Sequence, residues 1–169
     1  MPGKASPKHV DPRVKRTRRL LREALVAVAR RAPAEVWQDP AAMGRYLHDK
    51  PALNSMFAAV YGIATDGQML ARVESGDLSP DLVNVADRDY FRRALAGDQP
   101  VISEVLWGKV LKAPIVVFAV PVLDGDGRHL GILAASIELR STALFADFRA
   151  TSSGQDTRDL VIDRRGKVI

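Results

Sequence analysis

The run over residues 85–139 constrains the fold most. Two apolar stretches, APIVVFAVPVL and HLGILAASIEL, are joined by Asp124-Gly125-Asp126-Gly127. Continuous apolar runs of this kind, bounded by turn residues, predict buried strands rather than helices. Pro121 inside the first run marks a bulge or an edge position, because proline cannot donate to a ladder. Ahead of this pair, PVISEVLW predicts another strand. Before it, RDYFRRALA predicts a short helix, with Asp87 as cap and Gly97 as stop.

The same reading extends toward the N-terminus. Asp11-Pro12 opens a helix that runs to about Ala32 and is closed by Pro33, with Val14, Leu21, Leu25 and Val28 on one stripe. Asp39-Pro40 repeats the start signal for a short second helix ending near Lys50-Pro51. From Met56 the period changes: MFAAVYGIA, the turn Asp66-Gly67 and the alternating QMLARV predict a hairpin. Ser141 or Thr142 is placed to cap a last helix carrying Leu144, Phe145 and Phe148. The predicted class is α+β: a five-stranded antiparallel sheet with a long N-terminal helix, and helices gathered on one side of the sheet.

The expected organisation is 1–10 disordered, 11–33 the long helix, 34–150 the domain, and 151–169 a linker and the start of a further strand pair. YGIATDGQMLA and LVIDRRGKVI share a strand–turn–strand pattern. That pattern is compatible with the start of a second related module, and equally with two unrelated hairpins.

Composition excludes several functions. Without cysteine there is no thiolate chemistry and no cysteine-ligated metal, and three scattered histidines do not make a metal site. No nucleophile elbow or phosphate loop is present, so neither catalysis nor a cofactor is expected. Asp124 and Asp126 on a tight turn fall far short of the six to eight oxygens calcium takes. No stretch reaches the roughly 18–20 apolar residues of a membrane span, and no secretory h-region is visible. The net charge of +5 is uneven: ten Lys/Arg against Asp11 and Glu23 fall in residues 1–31, while the remainder is slightly acidic. The basicity therefore belongs to one helix, and nucleic acid is not an expected partner.

The stretch 57–139 resembles an extracytoplasmic Cache domain of the PAS-like (PDC) type. The resemblance rests on the -TDGQMLA- turn, the DRDYF helix, the ISEV strand, the APIVVFAVPV strand and -LDGDGRHLGILAASIEL. It implies a PAS-like sheet and a small-molecule sensor on the outer side of the inner membrane, within a chemoreceptor, histidine kinase or cyclic-di-nucleotide enzyme. It also implies that Arg88 meets a ligand carboxylate, for which a guanidinium fork is well suited. The alternative is a solvated first-turn residue paired with Asp87 or Glu104. Tyr90 offers a hydroxyl to the ligand while Phe91 packs in the core, or else both are purely structural. Trp107 and Lys109 fall where a loop covers the pocket, as wall and added charge, or else as core cap and solvated lysine. Phe118 and Ser136 lie on the central strands. Amino-acid receptors of the family carry an aspartate at the position of Ser136, where it holds the ligand ammonium. Its absence favours a short carboxylate without an amine.

The amphipathic RVKRTRRLLREALVAVARR conflicts with the positive-inside bias if it leaves the membrane outward. Either its arginines lie near anionic headgroups, or it serves dimerisation or nucleic-acid binding in a cytoplasmic regulatory domain. Otherwise it is a solvated face whose apolar stripe packs on the domain or, in a homodimer, on a second copy, as in a ligand-free signal-transmitting module.

Overall fold

The computed structural model describes residues 12–140. The first eleven residues, the helix expected after Ser141 and the 151–169 segment lie outside them. Helix α1 spans Pro12–Ala29, followed by a 3₁₀ turn at Ala34–Trp37, α2 at Pro40–His48 and α3 at Pro51–Met56. Then come β1 at Ala59–Ile63, β2 at Met69–Glu74 and β3 at Asp77–Leu78. Helix α4 covers Asp89–Leu95, and β4 Val101–Ile102, β5 Leu106–Trp107, β6 Pro114–Leu123 and β7 His129–Glu138 complete the sheet.

Local chemistry sets most boundaries. Asp39 caps α2 by accepting from the Ala41 amide at 2.9 Å, with Pro40 at the first helical position. Pro51 pushes Lys50 out of the helical region, which separates α2 from a further helix, α3, that the sequence reading had merged into strand and loop. The first strand therefore starts at Ala59 rather than Met56. Helix α1 stops at Ala29, short of Pro33, through tightening turns from Arg31 and Ala32 to Val28 and Ala29. The Tyr46 hydroxyl donates to the same Val28 carbonyl at 2.7 Å, filling its second lone pair and tying α2 to the end of α1.

The sheet is antiparallel, in the order β3-β2-β1-β7-β6-β4, with β5 also on β6. Seven strands replace the five expected. PVISEVLW splits into β4 and β5, because Ser103 takes both the amide and the carbonyl of Val117 between them. Strand β3 is a two-residue addition after the left-handed Ser75-Gly76 turn. Pro121 sits where β4 has already ended, so its missing N–H faces no partner strand. In the β6–β7 turn, Asp124 Oδ1 accepts from the Asp126 and Arg128 amides, and Gly127 takes a φ of +80°. Those amides, that of Arg128 foremost, hold the Asp124 carboxyl below the usual range.

The helices do not gather on one side. Helices α1, α2 and α3 cover one face with Leu25, Trp37, Met43, Leu47, Phe118, Leu133 and Ala135 in their core. Helix α4 covers the other, with Tyr61, Phe91, Val117, Ala119, Ile132 and Ala134. Alternation along β6 and β7 thus splits every neighbouring pair between two cores, and the sheet has no solvent face. The α4 side is thinner, and there a cavity remains.

Candidate functional site

The floor of the cavity is built by strand register. Tyr61 on β1 pairs with Arg72 on β2 and with Ala134 on β7, so Tyr61 and Arg72 stand side by side toward α4. Ser136 stands one step along on β7, buried at 1% exposure. One wall comes from the loop after β3, where Val83 and Val85 return to β2 through the Met69 amide and the Gly67 carbonyl. The other is the start of α4, with Arg88 and Tyr90, and the segment 106–111 forms the roof. The cavity measures about 30 Å³. A water needs roughly 10–15 Å³, so the inner space takes about two waters, and it opens on one side to solvent.

Of the six residues expected at a site, four line this cavity: Arg88, Tyr90, Lys109 and Ser136. Phe118 does not. Period two turns it to the α1 side, where its ring meets Phe57 edge-on at 5.8 Å. Trp107 is no lid either: β5 points it outward at 55% exposure, and Leu106 takes the inward place.

Arg88 is the cap residue of α4, not a residue of its first turn, and makes no side-chain capping bond. Its Nε is 4.0 Å from Asp87 Oδ2 and the side chain is one-quarter exposed. Asp87 does not cap the helix. Its carboxylate accepts from Lys109 Nζ at 2.6 Å, and the same ammonium donates to the Asn84 carbonyl at 2.8 Å. Lys109, though part-exposed, is therefore not a free charge but a clasp that ties the roof to the loop before α4.

That clasp holds the Asp87 carboxyl below its ordinary range, chiefly through the Lys109 hydrogen bond. A depressed carboxyl pKa adds stability above the ordinary range, and that stability is lost as pH falls through the lowered value. In Lys109→Met the Asp87 pKa rises toward the model-peptide value, and the roof amides of 108–111 exchange faster with solvent. NMR pH titration and hydrogen exchange read both; an unmoved Asp87 contradicts the clasp.

Two residues at the site were not anticipated, Tyr61 and Arg72. Arg72 is 2% exposed, with Nη1 on Glu74 Oε2 and, at 3.0 Å, on Ser79 Oγ. Its Nη2 is buried without a hydrogen-bond partner among the described residues. The hydroxyl-bearing Tyr61, Tyr90 and Ser136 line the same cavity. Burial raises the Tyr61 phenol well above its usual range and pushes that of Tyr90 up to about 12. Both phenols therefore stay protonated at any physiological pH and can donate. Two guanidiniums, two phenols and a serine hydroxyl converge here, while among the described residues no aspartate or glutamate lines the cavity. The arrangement suits an anion with several oxygens.

No family model matches the chain, and no curated protein does. Solved structures do. The sensory domain of the Campylobacter jejuni chemoreceptor Tlp3 superposes with a TM-score of 0.65 at 16% identity, covering 93% of this chain and 64% of that one. The ligand-binding domain of Pseudomonas fluorescens chemoreceptor CtaA, in complex with L-serine, gives 0.67 at 18% identity over 92% and 64%. That of the Pseudomonas aeruginosa amino-acid chemoreceptor PctC, in complex with GABA, gives 0.59 at 21% identity over 82% and 60%. The chain spans less than two thirds of the length of each. The fold is thus that of chemoreceptor sensory domains, in keeping with the Cache-type resemblance of its sequence. Among the described residues no helix is long and apolar enough to cross a membrane.

Proposed function

We propose that this domain is the extracytoplasmic sensing module of a longer membrane receptor, and that it binds a small carboxylate lacking an amine. The observation that carries the reading is the polar part of an otherwise apolar cavity: three cationic side chains and three hydroxyls, and no acid among the described lining residues. Arg88 would hold the carboxylate with its fork, and the Tyr90 phenol would donate to the same group. Tyr61 and Ser136 would complete the shell from the sheet.

The fold relatives are bound to isoleucine, L-serine or GABA, each of which carries an ammonium as well as a carboxylate. A buried ammonium needs a counter-charge. With Ser136 on the floor and no acid among the described lining residues, an amine-bearing ligand would be destabilised here. The parent receptor's membrane location and any pairing of two copies through α1 belong to the same proposal.

A thermal-shift panel tests it. Acetate, propionate, lactate and succinate are expected to raise the melting temperature, and isoleucine, L-serine and GABA to leave it unchanged. A ligand at 100 times its dissociation constant adds about 2.7 kcal/mol. Stabilisation by the amino acids alone, or by no member of the panel, contradicts the proposal.

A further inference from the structure

We propose that Arg72 reads a second oxygen of the ligand, which makes the cavity selective for carboxylic acids carrying another acceptor oxygen, above all short dicarboxylates. The inference rests on the carboxylate-sensor reading and adds a specificity determinant to it.

Arg72 lies across the cavity floor from α4, on β2, whereas Arg88 enters from the cap of α4. The two guanidiniums thus enter one small space from two elements, the sheet floor and the α4 wall. Nη1 of Arg72 is committed to Glu74 and Ser79, which fix the side chain in place. Nη2 is buried and carries hydrogens with no acceptor among the described residues. Leaving a buried charged donor unmatched costs more than an ordinary lost hydrogen bond, so such a group is a strong demand for an acceptor. The neighbouring hydroxyls of Tyr61, Tyr90 and Ser136 do not meet that demand, since none of them is within hydrogen-bond reach of Nη2. An acid with one carboxylate on Arg88 leaves Nη2 unmatched. An acid with a second carboxylate or hydroxyl at its far end satisfies both.

Glu74 sets the strength of this second contact. It lies on the same face of β2 as Arg72, two residues on, and is one-third exposed. It offsets much of the Arg72 charge, so a carboxylate at the far end competes with Glu74 for the guanidinium. Removing that offset should strengthen the preference for a dianion.

The test is calorimetric titration of the wild-type protein, Arg72→Met and Glu74→Gln with succinate and with butyrate, which differ by one terminal carboxylate. The wild type is expected to bind succinate about ten-fold more tightly than butyrate, the size of one charge-assisted hydrogen bond. In Arg72→Met that ratio falls to near one while butyrate affinity persists, which a purely structural role for Arg72 would not produce. In Glu74→Gln the ratio rises several-fold. Equal affinities in the wild type, or an undiminished ratio in Arg72→Met, overturn the inference. If Arg72→Met does not fold, an unchanged ratio in Glu74→Gln overturns it. Failure of both acids to bind the wild type overturns the carboxylate reading itself, and the inference with it.

Discussion

Arg88→Ala is expected to remove nearly all of the stabilisation that a short carboxylate gives the wild-type domain. The guanidinium supplies the two parallel, charge-assisted bonds that a carboxylate accepts, together worth about 3 kcal/mol, or a hundredfold in affinity. At a concentration of 100 wild-type dissociation constants, the wild type gains about 2.7 kcal/mol and the variant about 0.4. For a domain of this size that is roughly 8 °C of melting temperature against about 1 °C. The unliganded variant should fold normally. The α4 cap relies on the Arg88 amide bonding to the Val85 carbonyl, and the side chain caps nothing. Arg88→Lys keeps the charge without the fork and should fall between the two. A ligand response in Arg88→Ala equal to that of the wild type would show that the carboxylate lies elsewhere.

The largest expected effect on stability comes from Gly131→Ala, on the opposite side of the sheet. A methyl there would come within 2.4 Å of Trp37 Cε3 and 2.5 Å of the Ile63 carbonyl oxygen. Neither neighbour can yield cheaply: one is backbone of the central strand pair, the other a ring 5% exposed that pins the 3₁₀ turn to β7. Overpacking of this kind costs about 3 kcal/mol, and the entropy gained by replacing glycine returns less than about 1. Urea denaturation should show the loss as a lower midpoint with an unchanged slope. Because Gly131 faces away from the cavity, ligand affinity per folded molecule should stay the same. A loss below about 1 kcal/mol would mean that Trp37 can shift, and that the α1 face is packed less tightly than described.

Much of the sheet was legible in the sequence because its turns are chemically specific. Asp66-Gly67 and Asp124 to Gly127 fix two hairpins, and Asp39-Pro40 fixes the start of α2. Arg88 and Tyr90 were singled out through the Cache resemblance, and both lie on the cavity wall at the start of α4. Period two, however, says only that neighbours on a strand face opposite ways. With helices on both faces, nothing in AVPVL or AASIE says which side is the cavity, and Phe118 was placed on the wrong one. Trp107 was expected in a covering loop, but it lies on β5, paired with Pro114, which turns its ring outward.

Arg72 was invisible for a deeper reason. A charged residue in an alternating strand reads as the solvent side, and only a sheet covered twice can bury it. The same holds for Tyr61, which looked like one more apolar position in MFAAVYGIA. The signal in hindsight is the pair Arg72 and Glu74, two opposite charges on one face of a short strand, which can neutralise each other when that face is buried. Asp87 carried a strong capping signal, yet the Lys109 ammonium, twenty-two residues away, outcompetes backbone amides for its carboxylate. Such a long-range partner cannot be read from local spacing.

The central claim is that a carboxylate binds between Arg88 and the sheet. The most direct measurement is an NMR titration of ¹⁵N-arginine-labelled protein with succinate, following the side-chain Nε–Hε resonances. The account predicts that Arg72 and Arg88 shift together and saturably, that the arginines of α1 stay still, and that Arg88→Ala silences the Arg72 response. Shifts confined to the α1 arginines, or none at Arg88, would contradict it.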